Sequence, residues 1–196
     1  MKIRALPSFF VPLVLVVLCV LVCATAGAVE EPKQEGKEEA VVIGPTTREQ
    51  IETAVPEWVQ AEVESQPNVE AARRLAAVKP GAEVTVFLGT WCSDSRREVP
   101  RFWKALAEAG FDVPFEIQYV GVDRGKKEPA AMLAENGVRY LPTFIVRRDG
   151  REAGRIVESS PNGVERDLLN LLTGKEKGVL TTRQDMGSDG SAKPSG

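Results

Sequence analysis

A cysteine and a serine three residues apart, at the expected start of a helix, are the residues of this chain best suited to chemistry. The stretch reads Gly89-Thr90-Trp91-Cys92-Ser93-Asp94-Ser95, with Arg96 and Arg97 following. A thiol at a helix N-terminus faces unpaired backbone N–H groups and the positive end of the helix dipole. Both favour the thiolate, the form that attacks disulfides. Arg96 and Arg97 add positive charge in the first turns, and Asp94 opposes it. A dithiol redox motif would carry its second cysteine where Ser95 stands. A hydroxyl does not attack a mixed disulfide, so a molecule captured by Cys92 would leave only when an outside thiol displaces it. Ser95 is expected instead to hydrogen-bond the Cys92 thiolate.

The rest of the composition narrows the chemistry further. The 196 residues include no histidine, which removes the commonest general base and the commonest metal ligand. The net charge is −3 with no long basic run, so no nucleic-acid partner is expected. Lys2 and Arg4 precede an apolar run over residues 9–22, and small residues follow it at Ala24, Ala26 and Ala28. This is the pattern of a secretory signal peptide over residues 1–28, which places the protein in the periplasm or outside the cell. The alternative is an uncleaved anchor, though the run is shorter than the ~20 residues that span a bilayer. Membrane contact is expected only if that segment is retained. Of the three cysteines, Cys19 and Cys23 lie in the signal, so the exported chain keeps Cys92 alone. An internal disulfide is then impossible, and neither a metal site nor a cofactor is expected.

Hydrophobic periodicity places the elements around this thiol. Residues 29–46 are polar and acidic and read as a flexible linker. Residues 47–79 hold helices, with Ile51, Val55, Trp58 and Val59 on one face and Pro56 as an interruption. Residues 83–88 form a buried strand, and residues 93–109 a helix with Val99, Phe102, Trp103 and Leu106 inward. A second strand covers 115–122, a short helix 128–135 and a third strand 143–147. The Asp149-Gly150 turn then leads to a returning strand over 152–157. Ser160-Pro161 is expected to cap a last helix whose inward face is Val164, Leu168, Leu171 and Leu172. The tail over residues 175–196 is rich in Gly, Ser, Lys and Asp and is expected to be disordered. The order β-α-β-α-β-β-α implies an α/β fold, a central mixed sheet flanked by helices.

Over residues 80–174 the chain resembles the thioredoxin superfamily. The resemblance rests on Trp91-Cys92 at a strand-to-helix junction, Pro100 inside the following helix, the run Arg139-Tyr140-Leu141-Pro142-Thr143 and the glycine of the Asp149-Gly150 turn. It implies a thioredoxin-like fold, a cis peptide before Pro142, and a groove in which Trp91, Leu141, Pro142 and residue 158 meet a client. The backbone of Leu141 would pair with an extended stretch of that client. With Ser95 in the second position, the chain looks like the superfamily's monothiol members. It departs from the family pattern elsewhere. Val86 and Tyr119 stand where a buried aspartate and its lysine are usual, and Glu158 replaces a glycine beside the groove. A carboxylate there would narrow the groove and disfavour a nearby thiolate. Two functions follow. The first is thiol-disulfide exchange by mixed-disulfide formation between Cys92 and client proteins or small thiols and disulfides. The alternative is a redox-inactive binding module that kept the groove and lost the chemistry.

Overall fold

The strand β2 (Ala82–Leu88) is buried along almost its whole length because it is paired on both sides and covered on both faces. The computed structural model describes residues 40–186. In chain order the other elements are β1 (Gly44–Thr46), α1 (Arg48–Ala54), α2 (Glu57–Glu64), α3 (Val69–Arg74) with a following 3-10 turn, α4 (Ser93–Ala109), β3 (Phe115–Gly121), α5 (Ala130–Asn136), β4 (Thr143–Arg148), β5 (Arg151–Val157), α6 (Val164–Thr173) and β6 (Gly178–Leu180). They build a six-stranded mixed sheet in the order β1-β3-β2-β4-β5-β6. β2 runs parallel to β3 and antiparallel to β4; β5 is antiparallel to β4, and β6 is parallel to β5.

Side chains alternate across the sheet and so divide the core in two. Val84, Val86 and Leu88 join the larger cluster with Val99, Phe102, Trp103 and Leu106 of α4, and Leu168, Leu171 and Leu172 of α6. Ile51, Val55, Trp58 and Leu75 belong to the same cluster, so α1 to α3 share one core with the strands that follow. Phe87 faces the other way, with Val120, Leu133, Leu141 and Ile145; Trp91 and Cys92 pack against that second cluster. α1 starts on a reciprocal cap: the Thr47 hydroxyl accepts from the Gln50 N–H, and the Gln50 side chain accepts from the Thr47 N–H. α4 carries Pro100 in its interior and stops at Gly110, whose φ of 90° suits glycine.

Three sequence expectations are corrected. The linker expected over 29–46 contains β1, which pairs with β3 from Gly44 opposite Gly121 to Thr46 opposite Tyr119. The tail expected to be disordered from 175 contains β6, held by backbone pairing with Gly154, Arg155 and Ile156 of β5, with Leu180 against the core. α6 begins at Val164 after Gly163, not at Ser160-Pro161. The Asp167 carboxylate draws the preceding loop in, accepting from the Ser160 hydroxyl and from the Asn162 backbone and side chain. Residues 1–28, expected to be a signal peptide, and the last ten residues lie outside the described residues. Among the described residues no helix is long and apolar enough to cross a membrane.

One buried charge ties the N-terminal helices to the sheet domain. Glu165 at the start of α6 accepts from Arg101 Nε and Nη2, at 2.9 and 2.8 Å, and from the Asn68 N–H at 2.8 Å. Burial works against its charge. The Arg101 fork and the Asn68 N–H outweigh burial and hold the carboxyl below its usual range. A carboxyl depressed in the folded state stabilises the fold above its unfolded value and loses that contribution as pH falls. Glu165→Ala is therefore expected to cost about 3 kcal/mol at neutral pH, with Glu165→Gln losing less. The gap between wild type and Glu165→Ala in denaturant melts should shrink as pH drops below about 4. A gap independent of pH would show that the carboxylate charge contributes nothing.

Candidate functional site

Cys92 sits where β2 hands over to α4. Its N–H donates to the Gly89 carbonyl at 2.9 Å, and its own carbonyl accepts from the Arg96 N–H at 2.9 Å. With φ −90° and ψ 124° it is the N-cap of the 17-residue helix α4, and its side chain makes no cap bond. Cys92 is a free, half-buried cysteine. Trp91 walls one side: its indole N–H donates to the Val122 carbonyl at 2.9 Å, and its ring lies against Gly89. A Cβ at Gly89 would stand 2.8 Å from that ring, so the close approach requires glycine. Thr90 is buried and anchors the segment ahead of β1, donating to the Ala40 carbonyl at 2.8 Å.

The Leu141–Pro142 peptide is cis, and the Leu141 carbonyl accepts from the Cys92 thiol at 3.5 Å. Both residues are buried, Leu141 to 2% exposure. Its side chain belongs to the second core cluster, so what it offers the groove is main chain. Glu158 arrives from the end of β5, its N–H donating to the Pro142 carbonyl at 2.8 Å. Its φ of 58° is the left-handed conformation that favours glycine. Its carboxylate is not loose in the groove: Arg183 pairs with it at 2.8 Å. Trp91, Cys92, Leu141, Pro142 and Glu158 thus lie on three loops at one end of the sheet.

Ser95 does something other than expected. It is fully buried, and its hydroxyl accepts from the Gly89 N–H at 3.2 Å rather than bonding Cys92. One turn into α4, the side chain points back under the helix start and closes the end of β2. The charges nearby also cancel locally. Arg97 pairs with Asp94 at 2.9 Å and with Glu98 at 3.1 Å, and it donates to the Ser159 hydroxyl. Arg97 therefore spans from α4 to the loop after β5. Glu98 is itself buried, which pushes its carboxyl above the usual range despite Arg97.

Val86 and Tyr119 are cross-strand partners in the core. Burial pushes the Tyr119 hydroxyl up to about 12, while it accepts from the Trp103 indole N–H at 3.1 Å. At neutral pH this pair moves no proton. Among the described residues no group of His, Cys, Asp and Glu could hold a metal ion. Arg183 and Ser159 were not among the sequence candidates. Neither stands in a motif, and Arg183 lies in a tail without periodicity.

No protein-family model matches the chain, and no curated protein matches it significantly. Solved structures do. A protein of unknown function from Pseudomonas aeruginosa is 17% identical, over 64% of this chain and 81% of that one, with a TM-score of 0.40. A mutant thioredoxin from Halobacterium salinarum is 20% identical over 50% and 76%, TM-score 0.35. A thioredoxin from Fasciola hepatica is 27% identical over 50% and 84%, TM-score 0.33. The six-stranded mixed sheet flanked by helices is a thioredoxin-like α/β fold.

Ser95→Ala removes the acceptor of a buried N–H and is expected to cost about 1–3 kcal/mol of stability. The rate at which iodoacetamide alkylates Cys92 should stay within about twofold of wild type, since the hydroxyl is bonded to Gly89. A large fall in alkylation rate would restore Ser95 as a partner of the sulfur.

Proposed function

We propose that the protein is an exported monothiol exchange protein acting through Cys92. The observation that carries this reading is a free, half-buried cysteine at the N-cap of α4, its sulfur 3.5 Å from the main chain of Leu141 in the loop that precedes β4. The Cys92 thiolate attacks one sulfur of a client disulfide. The new Cys92–client bond forms as the client's S–S bond breaks, and the second client sulfur leaves as a thiolate that takes up a proton. An outside thiol, deprotonated, then attacks the mixed disulfide and returns Cys92 as thiolate. Leu141 supplies main-chain contact for an extended client, with Trp91, Pro142 and Glu158 as walls of the groove. Ser95 sits beneath the site and supports its backbone.

A redox-inactive binding module is the second reading, and one contact favours it. The Leu141 carbonyl accepts from the thiol, so the sulfur and the main chain that would meet a client already engage each other. The readings separate on incubation with an oxidised model peptide followed by intact-mass measurement. Exchange chemistry predicts a reducible adduct on wild type, none on Cys92→Ser, and no accumulation on Ser95→Cys, whose second thiol clears the adduct from within. Folded wild type that forms no adduct up to about pH 8.5, the ordinary thiol value, would leave the binding module standing.

A further inference from the structure

The residues beyond β6 hold groups that the exchange chemistry does not use. β6 runs parallel to β5, with Leu180 opposite Ile156, so the chain leaving it continues toward the loop of Glu158. Residues 181–186 are tied down there. The Thr181 hydroxyl donates to the Val157 carbonyl at 2.8 Å, and the Thr182 N–H to the Ser159 carbonyl at 3.1 Å. The Arg183 guanidinium donates to the Glu158 carboxylate at 2.8 Å and to both oxygens of Asp185, at 2.9 and 2.5 Å. Its carbon lies 4.0 Å from the centre of the Tyr140 ring.

One side chain therefore joins the two loops that bound Pro142. Tyr140 lies two residues before it in the chain, and Glu158 is hydrogen-bonded to its carbonyl. A client strand laid along Leu141 must pass between these loops. In the structure Leu141 and Pro142 are buried, and Arg183 holds the loops together. We propose that residues 181–186 form a strap that gates the Cys92 groove, with Arg183 as its latch. The strap deepens the exchange reading by regulating access to the same groove, but its closure does not depend on turnover.

The latch is built from contacts that are individually weak. Arg183 keeps 26% of its side-chain surface in solvent, and ion pairs and stacked cations at such exposure hold loosely. Glu158 is held left-handed at φ 58°, a conformation that costs a non-glycine residue free energy. By contrast β2, β4 and β5 are fastened by long ladders. The strap can open while the sheet stays intact.

The test compares alkylation of Cys92 by a small maleimide and by a bulky polymer-linked maleimide on the full chain. Alkylation reads access whether or not Cys92 exchanges disulfides, so failure of the strap and failure of the exchange reading are distinguishable. Arg183→Ala should raise the bulky-to-small rate ratio by about fivefold to thirtyfold, and Arg183→Lys by less, because lysine keeps the charge but loses the fork and the flat stack. Amide exchange on wild type keeps the test decisive even if Arg183→Ala folds poorly. The Thr182 N–H should exchange by local opening, well ahead of the amides of β2. An unchanged ratio in folded Arg183→Ala, or a Thr182 amide that exchanges only with global unfolding, overturns the proposal.

Discussion

The register of β2 against its two neighbours is the constraint on which the site depends. Leu88 stands opposite Gly121 of β3, and Phe87 opposite Thr143 of β4. Thr143 in turn stands opposite Val157 of β5. These pairings bring four chain ends to one level: the turn into α4 with Cys92, the loop after β3 with Val122, the loop before β4 with Pro142, and the loop after β5 with Glu158. The Cys92–Leu141 contact and the Trp91–Val122 bond are consequences of that alignment. A one-residue slip of β4 would turn Phe144 and Val146 out of the larger core and carry Leu141 away from the sulfur. Site geometry and core packing are thus one specification. The site is therefore expected to keep its shape as long as the ladder holds.

The same level organises the charges. The rim carries acids at Asp94, Glu98 and Glu158, and the arginines Arg97 and Arg183 answer them. Arg97 reaches from α4 to Ser159, while Arg183 reaches from beyond β6 to Glu158 and Tyr140. Two long side chains from opposite sides thereby converge on the loop after β5. The carboxylate at position 158, which in isolation would oppose a thiolate, is paired with Arg183 at 2.8 Å. The position that looked least compatible with thiol chemistry is thus balanced by a residue from the last strand's extension.

Much of this was readable in the residues, because the central elements carry their own patterns. The alternation in β2, the single apolar face of α4 and the Asp149-Gly150 turn each declare an element locally. Asp149 and Gly150 indeed have φ values of 52° and 72°. The edge strands were not readable. β1 and β6 are three residues each, too short for a period, and exist because distant strands offer them backbone partners. The start of α6 was misplaced because Ser160-Pro161 fits a helix cap by composition. The Asp167 carboxylate instead makes those residues a loop and leaves Gly163 as the cap. The partner of Ser95 was likewise hidden. Spacing places a side chain one turn from Cys92, but only the fold says that it turns under the helix toward the Gly89 N–H.

That placement bears on why a serine can occupy the second position at all. Ser95 is fully buried beneath the helix start, where the Gly89 N–H donates to its hydroxyl. A hydroxyl accepts that bond better than a thiol, whose sulfur is a weak acceptor. The serine that stands where a dithiol motif has its second cysteine thus satisfies the turn presenting Cys92. If Cys92 exchanges disulfides as proposed, a sulfur so presented, without a second to displace its catch, makes the lifetime of a mixed disulfide depend on which molecules reach the groove. On the exchange reading proposed above, access to the groove, rather than the chemistry of a partner cysteine, is then the quantity open to control.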